Sequence, residues 1–248
     1  DLVESCRDDP MISFALAPHS PYTISDPTMD RVAEVSEQQG LPVHMHVLET
    51  AWEIQKSQEQ HGVYPLERLD RHGLLNERLI AVHMTQLGSA DIERVADAGA
   101  RVVHCPQSNL KLASGFCPVN DLLDAGITVA LGTDGAAANN DLDMLAELQS
   151  AALLAKGVAG KADALGAVEA LEMATLSGAR ALGLDKTTGS IEPGKQADLC
   201  ALNLRQPETQ PLHNVISQLV YAASARQVTD VWVAGRRVLD GGALVTMD

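Results

Sequence analysis

A chain of 248 residues with 46% hydrophobic content is long enough to bury a large α/β core and too apolar for disorder. Its formal charge of −15 excludes a general attraction to nucleic-acid phosphates or an anionic membrane, both of which need excess Lys and Arg, and leaves small neutral or zwitterionic substrates open. No apolar run has bilayer-spanning length, and Cys6, Cys105, Cys117 and Cys200 are scattered with no Cys-x-x-Cys pair and no secretory leader, so reduced thiols in a cytoplasmic protein are expected.

In chain order, the opening Asp1-Leu2-Val3-Glu4-Ser5-Cys6-Arg7 reads as a helix entered partway. Short apolar runs then recur at 12–17, 43–48, 79–84, 102–105 and 127–131, each followed by an amphipathic segment. That alternation predicts parallel βαβ units. Asp26 with Pro27 predicts an N-cap and first-turn pair for a helix that Gly40 ends, and Ser89 opens another that Gly99 closes. Residues 141–182 turn Ala- and Leu-rich and predict two helices broken near 157–160. After Gly189 the texture changes to a turn and a strand, and 228–240 reads as a hairpin about Ala234-Gly235. No solenoid-length repeat or low-complexity tract is found.

Of the eight histidines, His19, His44, His46, His83 and His104 lie in or just after predicted strands. Parallel α/β folds place their sites at the carboxyl ends of the strands, so this placement matters more than the count. His61, His72 and His213 fall in helices or loops and read as solvated or capping. On a strand His44 and His46 share a face, and Glu49 lies just past the apolar run, where the strand gives way to a loop. The fifth run ends Gly132-Thr133-Asp134-Gly135, which brings a carboxylate to the same end of the sheet. Imidazoles with one carboxylate suit Zn²⁺ or another borderline divalent ion, whose open position would hold a reactive water. Glu49, three residues beyond His46, is placed to move protons beside such an ion without binding it. Its alternative is a carboxylate at the N-terminus of the helix starting near Thr50.

These segments resemble the amidohydrolase superfamily, in particular its branch of 5-methylthioadenosine / S-adenosylhomocysteine deaminases and their chlorohydrolase relatives. The likeness spans nearly the whole chain. It is carried by Ala17-Pro18-His19-Ser20-Pro21-Tyr22-Thr23, His44-Met45-His46-Val47-Leu48-Glu49-Thr50, Ala81-Val82-His83-Met84-Thr85, His104-Cys105-Pro106-Gln107-Ser108-Asn109-Leu110-Lys111 and Leu131-Gly132-Thr133-Asp134-Gly135. The tail from Gly189 through Pro193 to Leu199 is similar to the return of such chains into a composite β-sandwich.

The resemblance implies the C-terminal part, about strands 4 to 8, of a TIM-like (β/α)₈ barrel over residues 1–188, with β-sandwich strands over 189–248. It implies a metal-dependent deaminase that converts an adenosine-type nucleoside to the inosine analogue and ammonia, with one divalent ion, zinc or alternatively iron. His46 and Asp134 would be metal ligands, and Asp134 would also take a proton from the attacking water. Glu49 would serve the purine ring nitrogen, His83 would hydrogen-bond the hydroxide or the tetrahedral intermediate, and His19 would contact the ribose. Glu49, Asp134 and His19 would thus all touch substrate. His44 reads as a packed residue behind the site, because the His-x-x-Glu spacing selects His46. Ser108 and Asn109 follow a strand end and either shape the pocket floor or form a structural turn.

Two departures from the family stand out. Residues Ala136-Ala137-Ala138-Asn139-Asn140 replace a stretch that often carries Ser, which bears on substrate preference. The opening His-x-His of the first barrel strand has no match, so a missing N-terminal barrel segment is expected as a partner, alongside a homo-oligomeric assembly. The competing readings are the same site acting on guanine, a triazine or another heterocycle, a non-catalytic scaffold of this fold, and a complete open α/β binding protein whose histidines are structural.

Overall fold

A computed structural model describes residues 2–6 and 8–246. The chain begins with α1 (Leu2–Ser5) and α2 (Asp26–Gln39), then β1 (Val43–Val47), α3 (Ala51–His61) and α4 (Pro65–Arg71). Next come β2 (Leu79–His83), α5 (Ser89–Asp97), β3 (Arg101–His104), α6 (Pro106–Lys111), α7 (Val119–Asp124) and β4 (Val129–Leu131). Three helices follow, α8 (Met144–Ala159), α9 (Ala167–Met173) and α10 (Leu176–Ala181). The chain closes with β5 (Leu199–Leu202), α11 (Val215–Tyr221), β6 (Val228–Val233), β7 (Arg236–Asp240) and β8 (Ala243–Leu244). The expected opening helix is present as α1, while Asp1 and Arg7 lie outside the described residues.

Strands β1 to β4 form one parallel sheet in chain order, and β5 to β8 form a separate antiparallel sheet. The parallel sheet with its crossover helices is the partial barrel expected from the alternation of apolar runs. Its β1 alternates sharply: Val43, Met45 and Val47 are buried, whereas His44 and His46 are half-buried on the other face. The buried set meets Met29 of α2, Leu66 and Leu69 of α4 and Val95 of α5 in one continuous core. Burying each such side chain stabilises the fold by about 1.5–3 kcal/mol. The helix α11 packs on α8 and α9, where its Val220 is fully buried.

Three local expectations differ from the structure. Residues 12–17 do not form a strand; the segment touches the sheet at a single bridge, Leu16 to Val43. Pro18 has no N–H to extend a ladder, and Ile12 is exposed, so neither pairing nor burial supports a full strand there. The region 141–182 holds three helices rather than two, because Gly166 and Thr175 each serve as a further N-cap. Ser25 rather than Asp26 is the N-cap of α2, whose first helical residue is Asp26, whereas Ser89 opens α5 as expected, with Gly88 before it as the N-cap. The hairpin turns at Ala234-Gly235 as expected.

Arg68, only 2% exposed, staples α4 to the first residue of α2 through Asp26 and to the segment before it through the carbonyls of Pro21 and Ile24. His72, the C-cap of α4, bonds Asp30 at 2.6 Å, and His61 lies 3.9 Å from Asp26. His213 is exposed.

Candidate active site

The carboxyl ends of the four parallel strands carry the chemistry. In register, His46 of β1 pairs with Val82 and Val47 with His83. Regular alternation would therefore turn His83 to the opposite face from His46. His83 instead adopts a left-handed backbone, φ 78°, which re-aims its ring toward the imidazole of His46, stacked at 5.3 Å between centroids. Leu48, Met84 and Asp134 share this left-handed region, with φ of 51°, 51° and 61°. Such conformations cost about 1–3 kcal/mol each and persist only where neighbours enforce them. Here the Leu48 carbonyl accepts from the backbone N–H groups of Thr85 and Gln86.

His46, His83 and Asp134 place one ligand atom each within 4.8 Å of one another. The Nδ1–H of His46 donates to the His19 carbonyl at 2.6 Å, which fixes the tautomer and leaves Nε2 with its lone pair toward the group. The Nδ1–H of His83 donates to Asn109 Oδ1 at 2.8 Å, and its Nε2 lies 3.9 Å from Glu49 Oε2 and 4.0 Å from Asp134 Oδ2. Burial lowers the pKa of His83, against the pull of Glu49 and Asp134, and so favours the neutral ring with a free lone pair. Burial alone would raise the pKa of Asp134. The Ser108 hydroxyl, 2.6 Å from Oδ2, outweighs it together with the Gly135 N–H and the two imidazoles, and the carboxyl is held below its ordinary value. Two imidazole lone pairs and an ionised carboxylate, each oriented by a second partner, form a donor set that fits a divalent ion such as zinc.

Glu49 stands two residues past β1. Its Oε1 accepts from the Ser114 hydroxyl at 3.2 Å, and its carbonyl accepts from Thr85 Oγ1 at 2.6 Å. His19 is exposed beside this group, its ring 4.7 Å from that of His46. The five residues His19, His46, Glu49, His83 and Asp134, separated widely in sequence, are thus brought together. His44 shares the half-buried face of β1 with His46, and burial followed by the neighbouring His46 lowers its pKa. Ser108 and Asn109 belong to the first turn of α6 and touch Asp134 and His83 directly. His104 is 1% exposed, and burial, then His83, pushes it down to about 3, so its ring is neutral. The segment 136–140 meets the rest of the site through Asn139, which donates to the buried Glu147; Glu147 also accepts from the Gln107 N–H.

Sequence reasoning did not single out Ser114, Glu53 or Glu147. Ser114 follows α6 in an irregular segment and carries no local signal. Glu53 does carry one, the Thr50-x-x-Glu53 spacing of a capping box.

Parallel strands that deliver two imidazoles and a carboxylate to their carboxyl ends define a portion of a (β/α)₈ barrel with a divalent-metal donor set. Residues 3–238 match the amidohydrolase family, and the chain belongs to it. It is 48% identical over 246 residues to a 5-methylthioadenosine/S-adenosylhomocysteine deaminase of Teredinibacter turnerae, covering 99% of this chain and 56% of that protein. It is 43% identical over 249 residues to a 5'-deoxyadenosine deaminase of Methanothermobacter thermautotrophicus, covering 100% of this chain and 58% of that one. The crystal structure of an adenosine deaminase from Xanthomonas campestris with bound zinc superposes with a TM-score of 0.98 at 57% identity, over 100% of this chain and 56% of that chain. The chain therefore spans a little over half the length of the relatives it matches.

Proposed function

We propose that this chain forms part of a zinc-dependent deaminase that hydrolyses adenosine-type nucleosides, 5-methylthioadenosine or S-adenosylhomocysteine, to the inosine analogue and ammonia. The observation that carries this reading is the convergence of His46, Glu49 and Asp134 around the free Nε2 of His83. Relatives named as nucleoside deaminases across 96–100% of this chain support the substrate class. No helix among the described residues is long and apolar enough to cross a membrane.

His46 Nε2 and an oxygen of Asp134 would hold the metal, with the remaining ligands supplied by sequence corresponding to the rest of the relatives' length. Bound zinc supplies Lewis acidity, which brings the pKa of a coordinated water near 7. Asp134 accepts a proton from the attacking water on its carboxylate. Glu49, as the carboxylic acid, donates to the purine ring nitrogen, regains a proton from the hydroxyl of the resulting tetrahedral carbon and passes it to the amine as the C–N bond breaks. The proton held by Asp134 then restores Glu49. Such a role is worth about 10² to 10⁴ in rate. The free Nε2 of His83 accepts a hydrogen bond from the same water and keeps it aimed between the two carboxylates. His19, exposed at the rim, contacts the ribose. We take 1–188 as the barrel unit and 189–248 as the β-sandwich strands, and read the enzyme as cytoplasmic and homo-oligomeric; its free cysteines suit a reducing compartment.

The test is ammonia release from a panel of adenosine derivatives, with metal content measured on the same sample, using this chain joined to the segment that completes the relatives' length. Turnover of 5-methylthioadenosine or S-adenosylhomocysteine that is lost with chelator and regained with zinc is expected. Activity confined to guanine or triazines would overturn the substrate assignment, and a protein without metal would overturn the reading altogether.

A further inference from the structure

Glu53 lies in the first turn of α3, is 1% exposed, and accepts the backbone N–H of Glu49 on Oε2 at 2.9 Å. The neighbouring Leu48 amide interacts with the same carboxyl, whose Oε1 has no hydrogen-bond partner among the described residues. An ordinary capping box returns the glutamate to the N-cap amide at the protein surface. Among the described residues the version with a carboxylate occurs twice, where Asp91 takes the Gly88 N–H and Glu169 takes the Gly166 N–H, both in solvent-exposed bonds. At α3 the N-cap is Thr50, yet the carboxyl reaches one residue further back and does so from inside the core. A surface carboxylate would cap the helix without the desolvation penalty, so capping alone does not account for the burial. The backbone it grips is the left-handed turn at Leu48 that carries β1 into Glu49. On the other side of that turn, the Thr85 hydroxyl donates to the Glu49 carbonyl.

We propose that Glu53 is a positioning residue for Glu49: with Thr85 it clamps the backbone on both sides of the proton-carrying residue and so sets where the Glu49 carboxylate stands relative to His83 and Ser114. The proposal rests on Glu49 moving protons in the reaction described above. Burial pushes the Glu53 carboxyl up to about 7, opposed by the two backbone N–H groups it accepts, which agrees with a carboxyl committed to a dry location.

The full-length enzyme tests this with Glu53→Ala, Glu53→Gln and Glu53→Asp. Loss of the clamp in Glu53→Ala should lower kcat about 10- to 100-fold at unchanged KM and metal content, since small displacements of reacting groups cost rates of that order. Hydrogen exchange at the Glu49 amide should quicken in the same variant. Glu53→Gln retains an acceptor oxygen and should recover most of both. In a Glu49→Gln background, Glu53→Ala should cost nothing further in kcat, because the two act through one group. Wild-type kcat in Glu53→Ala, or an undiminished loss in the Glu49→Gln background, overturns the proposal. Should the alanine variant fail to fold, Glu53→Asp withdraws the acceptor by one methylene and should reproduce the loss. Turnover is read on whichever ring the wild type accepts, and amide exchange reads the clamp without turnover, so an incorrect nucleoside assignment leaves the result legible.

Discussion

Ser108 offers its hydroxyl to the one carboxylate of the metal group, and that 2.6 Å bond helps keep Asp134 ionised inside a half-buried setting. Replacing Ser108 with Ala removes an acidifying partner, so the Asp134 carboxyl should protonate at higher pH. Because protons compete with metal for that oxygen, metal release on acidification should begin at a higher pH than in the wild type, with affinity at neutral pH falling about 10- to 100-fold. A pH-stepped zinc titration of both proteins checks this. Glu49→Gln should behave in the opposite fashion, keeping its metal while turnover drops by about 10² to 10⁴. Equal metal loss in both variants would place Glu49 among the ligands instead.

At the scale of elements, the loop that delivers Asp134 leaves β4 through Gly132. A Cβ there would meet Val103 Cγ1 at 2.9 Å and Cys105 Sγ at 3.3 Å, so β3 and the loop pack too closely for any side chain. Gly132→Ala should destabilise by about 1–3 kcal/mol and lower the melting temperature, with metal binding weakened in parallel. The helix α8 is tied to this region by Glu147, fully buried and pushed by burial up to about 7. Between its ordinary value of 4.5 and 7 the unfolded chain is ionised while the folded one is not. Its contribution therefore falls as pH rises through that window. The melting-temperature advantage of wild type over Glu147→Gln should shrink from pH 5 to pH 8, and a constant difference would contradict the assignment. The four parallel strands and the hairpin were legible because apolar runs and turn residues are local signals. So were His46, Glu49 and Asp134, each at the end of such a run. The face that His83 presents was not legible, because it depends on a left-handed backbone that alternation does not forecast. Ser114 and Glu147 were hidden for another reason: each meets the site across a long separation in sequence, Ser114 at Glu49 and Glu147 at Gln107.

Across the whole molecule, the two proposed ligands come from β1 and the loop after β4, with His83 of β2 beside them, so sheet integrity and metal affinity are coupled. Among the described residues β4 pairs only with β3, and the outer edge of β1 is engaged only by the Leu16 bridge and by the His46 N–H bond to the His19 carbonyl. Unpaired parallel edges are costly and prone to association. Joining the remaining length found in the relatives should raise both melting temperature and zinc affinity, the latter on the order of 100-fold, measured by competitive chelation. Each strand of the parallel sheet pairs with its immediate predecessor in the chain, so nothing needs to be threaded between strands already in place. A sheet that grows only at its ends can receive its counterpart from a separate polypeptide. Co-expressed as two fragments, the halves should recombine by complementation, and fusing each to an interacting pair would turn ammonia production into a reporter of proximity.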